Sequence, residues 1–345
     1  MTFVARINVR TFLTSLVVLL LVAGCGVRIE TAPPTEPTPD SNEVARQAVV
    51  NDLLSVSAAA ALLTQDDAQS DAVVQALESL ALQASDTATQ LGGEYDSGLP
   101  EELRTSRPEP SQSSETTAPA TAQDLVDQLN NAANRIRSTL DLPEDPDVAR
   151  AYGSLATWFA LQASDIARLS KIDYELPPDF TDSELEALPS NITQANVITW
   201  ITREDAAAYG FEVIAAMLPV DDRAYFTKQA REHRRTAQHL AVLAAVDRTS
   251  DDPRALRYDL PFTLTPDSPT PEPSEARRLG RELCIDLGEH YSTALATVEP
   301  QDRAAILDLL VPAAQCANRL GSDMGPFVFI ESPEAITAST PEVSN

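Results

Sequence analysis

Lysine is almost missing from this 345-residue chain, standing only at Lys171 and Lys228, while glycine numbers 11, tryptophan two, cysteine three and histidine three. Aromatic residues make up 5%. These shortages exclude a good deal. The chain has no P-loop, no Gly-rich dinucleotide turn and no G-x-S-x-G elbow. His233, His239 and His290 are scattered, too few for a zinc or haem centre built on imidazole. Basic charge is short as well: 25 Lys and Arg face 52 Asp and Glu, for a formal net charge of -27. An acidic body of this kind repels nucleic acid and anionic headgroups, so no nucleic-acid partner is expected. What remains is alanine-rich and suits closely packed helices.

The first 25 residues carry an address. Arg6 and Arg10 precede the 13 mostly apolar residues Thr11 to Ala23, the length of a signal-peptide core. A bilayer span needs ~20 residues, so this run is too short to be one. Leu21-Val22-Ala23-Gly24-Cys25 closes it as a lipobox. Residues 1–24 therefore read as a lipoprotein signal peptide. Cys25 would become the mature N-terminus, lipid-modified, with its acyl chains buried at about 0.8 kcal/mol per methylene. The expected location is the extracytoplasmic face of the cell membrane. Residues 25–41 hold Pro33, Pro34, Pro37 and Pro39, an extended tether that forbids a helix.

Beyond the tether, apolar residues recur at helical spacing, and the fold class is all-α. The chain divides into four antiparallel hairpins. Residues 42–172 form an N-terminal helical domain holding two of them, the first about 42–64 with 71–91, the second opening at Thr121 with the stripe Leu125, Leu129, Ala132 and Ile136 and a partner helix starting near Pro146. They are separated by the proline-containing, aperiodic linker 97–120. Gly92-Gly93 is a stop signal. Thr121 with Asp124 reads as a capping-box analogue. From Pro146 the residues Val148, Tyr152, Leu155, Phe159, Gln162, Ile166 and Leu169 mark one inward face. Residues 173–193 form an inter-domain bridge, with one short helix near 182–188. Residues 194–330 hold the third and fourth hairpins, about 194–218 with 222–248 and about 274–298 with 302–320. Residues 331–345 are a disordered tail. Both halves read hairpin, long connection, hairpin, the plan of a four-helix bundle with one crossover, with two independent up-down bundles as the main alternative.

Two inward polar residues stand out. Val197, Ile201, Glu204, Ala208, Phe211, Ala215 and Leu218 form one stripe, and Phe226, Ala230, His233, Ala237, Leu240 and Ala244 form its partner. Counted from the turn near Leu218–Asp221, Glu204 and His233 fall in nearly the same layer at about 1.5 Å per residue. They form either a satisfied core hydrogen bond or the remnant of a metal site. Di-iron bundles need Glu on two helices and Glu-x-x-His on the other two. Ala230 and Leu287 stand three residues before His233 and His290, so both Glu-x-x-His motifs are absent. No cofactor is expected, and the hydrogen bond is the preferred reading.

Cys284 and Cys316 are the remaining cysteines, and outside the cytoplasm two thiols read as a disulfide. Each lies 16 residues from Pro300, where the fourth hairpin turns, so antiparallel packing brings them level. The closed loop would contribute roughly 3–4 kcal/mol in the chain-entropy model. Pro312 removes the hydrogen bond to the carbonyl of Asp308 in the last helix.

Taken in order, Glu204-Asp205-Ala206-Ala207-Ala208-Tyr209-Gly210, His233-Arg234-Arg235, Tyr258-Asp259-Leu260-Pro261-Phe262 and Ala276 to Leu283 resemble the actinobacterial ferritin-like domain of unknown function often carried by lipoproteins. The resemblance covers about 194–330. It implies a ferritin-like four-helix bundle and no particular reaction. The expectation is a non-enzymatic envelope lipoprotein, a binding or scaffold module whose partner is an envelope protein or a small ligand. The alternative is a ferritin-like metal-binding or oxidative protein using Glu204 and His233.

Overall fold

The computed structural model describes residues 39–96, 121–177, 180, 185–260 and 273–330. The signal segment 1–24, Cys25, the tether to residue 38, the linker 97–120, Pro261, Phe262 and the tail 331–345 lie outside them. All described residues except Asp96 belong to one compact unit.

Every regular element among them is helical: α1 (Ser41–Leu63), α2 (Asp71–Gln90), α3 (Ala122–Ser138), α4 (Pro146–Leu169), α5 (Gln194–Met217), α6 (Arg223–Leu243), α7 (Pro273–Leu295) and α8 (Arg303–Arg319). Short 3-10 turns at Val220–Asp222 and Pro300–Asp302 lead into α6 and α8. Local chemistry explains the starts. Asp40, Asp145 and Thr193 cap α1, α4 and α5 by accepting from backbone N–H groups, which satisfies donors the helix cannot. Thr121 and Asp124 form a full reciprocal box at α3. Its Asp reaches the N-cap backbone N–H at 3.0 Å, doing the work of the usual Glu. The stops are as local. Gly92 has φ +91°, and Gly93 N–H bonds back to the Ala88 carbonyl at 2.9 Å, closing α2. Residues 185–188 are not helical, so the short helix expected there does not extend over them; residues 181–184 lie outside the description.

Consecutive helices pair as four hairpins, α1–α2, α3–α4, α5–α6 and α7–α8. Across hairpins α1 meets α3, α2 meets α4, and α5 meets α7. α4 also packs on α7 and α8, so one continuous cluster of buried side chains runs through both halves. Here the structure departs from a single inward face. From Ala149 to Ala163 almost every residue of α4 is buried, including Ser154, Thr157, Trp158 and Leu161 off the stripe. The reason lies in residue size. Ala149, Ala151, Gly153, Ala156, Ala160 and Ala163 let neighbours approach on several sides, and a helix that is apolar all round is buried all round. Each large side chain so enclosed contributes about 1.5–3 kcal/mol.

Polar side chains pin the halves together. Arg137 of α3 clasps Asp308 of α8 through two hydrogen bonds of 2.6 Å. Arg303 donates to the carbonyls of Leu140 and Pro143 in the α3–α4 turn. Arg150 reaches Ser292 and the carbonyl of Phe329, and Ser154 reaches that of Val328, tying the segment after α8 across α4. Pro312 lies within α8, which continues past it.

Candidate functional site

The third hairpin places Glu204 and His233 face to face. Both sit mid-helix on stripes whose other members are apolar or alanine, so packing those stripes carries them inward. Glu204 is 3% exposed and His233 9%. His233 Nδ1 lies 2.7 Å from Glu204 Oε2. The other oxygen, Oε1, accepts from the hydroxyl of Tyr291 on α7. Burial first, then the adjacent Glu204 charge and hydrogen bond, push the Tyr291 phenol well above its ordinary pKa, so it stays a donor. Hydrogen-bond accounting then puts a proton on Nδ1, donated to the carboxylate. Both carboxylate oxygens are engaged.

The far side of the imidazole is different. His233 Nε2 is buried and has no hydrogen-bond partner among the described residues. Phe211 lies parallel to the ring, with centroids 5.4 Å apart and planes 3° apart. Trp200 meets Tyr291 edge-on at 5.7 Å. The site is therefore a carboxylate bridging a phenol and an imidazole, in an aromatic and aliphatic shell.

Cys284 of α7 and Cys316 of α8 are joined by a disulfide, with Cα atoms 5.9 Å apart. A ring nitrogen of His233 and the two Sγ atoms all lie within 4.8 Å of one another. Glu204 holds Nδ1, so the ring nitrogen left with a free lone pair is Nε2.

One residue further along the same pair of helices a second network forms. Asp205, 1% exposed, accepts from Arg234 and, at 2.8 Å, from the Tyr258 hydroxyl. Arg234 also donates to Glu212 at 2.8 Å. The Ala255 N–H closes on the Tyr258 oxygen at 3.1 Å, and the Tyr209 ring lies beside Tyr258 at 5.9 Å. Burial and the Asp205 hydrogen bond push the Tyr258 phenol up to about 12. This cluster straps the chain after α6 to the hairpin. Arg254 adds a clip, with hydrogen bonds to Asp247, Asp252 and Gln238.

Of the residues singled out from sequence, Glu204, His233, Cys284 and Cys316 come together in one core layer, and Cys25 lies outside the description. His239 and His290 do not join them: their ring nitrogens bond the carbonyls of Leu185 and Asp286. The sequence reading missed Tyr291, although it falls on the inward face with Cys284 and Leu287. It also missed the Asp205–Arg234 rung. That rung has the same separation of 29 residues as Glu204–His233, so the register that predicts one pair predicts the other.

No curated protein and no solved structure matches this chain. Residues 197–330, which hold Glu204, His233, Tyr258, Cys284, Tyr291 and Cys316, match the family described as a domain of unknown function (DUF4439).

Proposed function

We propose that this chain is a lipid-anchored module of the cell envelope, attached through Cys25 to the extracytoplasmic face of the membrane, which works by binding or scaffolding rather than catalysis. Its partner is an envelope protein or a small ligand. The observation that carries this reading is that the core polar cluster is spent internally, both oxygens of Glu204 being engaged by His233 and Tyr291. The Cys284–Cys316 disulfide supports an oxidising compartment. Residues 194–330 form the ferritin-like bundle of an actinobacterial lipoprotein family in this reading, and the α5–α6 and α7–α8 pairings with the α5–α7 contact support that topology.

The competing reading, a ferritin-like metal or oxidative protein, draws on one observation, the unpartnered Nε2 of His233. Against it, Glu204 has no free oxygen to offer as a ligand. Two measurements test the choice. Cys25→Ala should release the protein from the membrane fraction or leave its precursor uncleaved; unchanged retention with normal processing overturns the anchor. Protein isolated with its disulfide intact should carry substoichiometric iron, manganese and zinc. A stoichiometric metal that disappears in Glu204→Ala would establish the competing reading.

A further inference from the structure

We propose that Cys284, Cys316 and His233 form a redox-gated zinc site, closed by the disulfide and opened when a dithiol reduces it. This goes beyond the envelope-module reading and needs neither the anchor nor a partner. Three helices, α6, α7 and α8, bring the two Sγ atoms and a ring nitrogen of His233 to within 4.8 Å of one another. In a tetrahedral zinc site, bond lengths near ~2.3 Å to sulfur and ~2.0 Å to nitrogen place neighbouring ligand atoms about 3.5–3.8 Å apart. Side-chain rotation after reduction covers that difference.

The imidazole is already oriented. Glu204 holds Nδ1 at 2.7 Å, which leaves Nε2 as the lone-pair nitrogen, buried and unpartnered among the described residues. A metal-binding histidine whose other N–H is held by a carboxylate is the ordinary outer-shell arrangement at such centres. Tyr291 fixes the carboxylate in turn. Charge favours the same ion: two thiolates neutralise one Zn²⁺, so a core 0–3% exposed at the two cysteines holds no net charge at the metal. The fourth position is left to water.

The chemistry balances. An external dithiol attacks one sulfur to give a mixed disulfide, then closes on itself. It is oxidised by two electrons to a cyclic disulfide, and Cys284 and Cys316 leave as two thiols. Zn²⁺ then displaces both thiol protons to solvent as it binds. Cys316 lies in the last turn of α8, the part of a helix that opens with least free energy, which gives the reductant its way in.

The test uses the full chain purified without a metal-affinity tag, reduced with dithiothreitol, freed of it anaerobically, and titrated with Co²⁺ and then Zn²⁺. Reduced protein should take one Co²⁺ per chain, with thiolate-to-cobalt charge-transfer bands and tetrahedral d–d bands that zinc abolishes. Oxidised protein should bind at least tenfold more weakly, without those bands. Glu204→Gln should keep the stoichiometry and weaken affinity about 10–100-fold, as outer-shell changes do. The Cys284→Ser, Cys316→Ser double variant, its fold checked by circular dichroism, should show no charge-transfer bands. Reduced protein binding no better than oxidised, whether folded or unfolded, overturns the proposal; so does unchanged binding in His233→Ala.

Discussion

A carboxylate deep in a helical core is tolerated only when its oxygens are all engaged, and Glu204 meets that condition with side chains from two other helices. The hydroxyl of Tyr291 is therefore a working part of the core. Tyr291→Phe keeps the ring and its edge contact with Trp200 but leaves Oε1 of Glu204 buried without that donor. Removing a hydrogen bond to a charged group costs about 1.5–3 kcal/mol. Chemical denaturation should place the variant about 2 kcal/mol below the parent with an unchanged m-value; a loss under 0.5 kcal/mol would mean that Oε1 finds another donor. Asp205 offers a contrast. It is met by Arg234 of α6 and by Tyr258 of the connecting segment, so the same pair of helices carries one polar rung turned into the bundle and one turned toward a loop.

Among the elements, α7 has the tightest neighbour. Gly288 faces the ring of Phe329, and a Cβ there would overlap two of its ring carbons. The segment after α8 lies over α4 and α7, held by Arg150 and Ser154 and by the buried Val328. Gly288→Ala gains about 1 kcal/mol of helix propensity yet must displace that ring, at about 1–3 kcal/mol for overpacking. The expected balance is a small net loss, with residues 321–330 cut faster than in the parent in limited proteolysis. A variant as protease-resistant as the parent would show that Phe329 moves aside freely. The capping box at α3 allows a second check: Thr121→Ala should cost about 1 kcal/mol by thermal melting, and no shift at all would show that water satisfies those N–H groups.

At the level of the whole molecule, five of the seven tyrosines share one electrostatic condition. Burial raises Tyr152 and Tyr258 to about 12, raises Tyr174 and Tyr225 still further, and holds Tyr291 well above its ordinary value. Each stays protonated in the fold while the unfolded chain ionises near pH 10. The unfolded state then binds fewer protons, so this stability is fully present below about pH 10 and is lost as pH rises above it. Thermal melts should be level between about pH 7 and 9 and fall steeply from about pH 10 to 12, with the tyrosinate absorbance of these five appearing only on unfolding. More than two tyrosinates per chain forming before the helical signal falls would show that these phenols are open to solvent. The net charge of -27 works in the same direction, since further ionisation adds repulsion to an already acidic body.

Helix positions, hairpin pairing and the common layer of Glu204 with His233 were legible in the residues alone. Each depends on interactions within a few turns of chain: the 4-3 recurrence of apolar residues, the Asp and Thr caps, Gly92 at a left-handed φ, and distances counted from one turn. Cys284 and Cys316, equidistant from Pro300, belong with them. What lay beyond reading was whatever needed a third helix. Tyr291 is 87 residues from Glu204, and no local period couples the two. That α4 is enclosed on nearly every side depends on α7 and α8 arriving from the far end of the chain. The His233 imidazole that Glu204 holds comes within 4.8 Å of the disulfide sulfurs only because α6, α7 and α8 pack around one core. Local spacing determines which face a side chain takes; tertiary packing alone decides what waits on the other side.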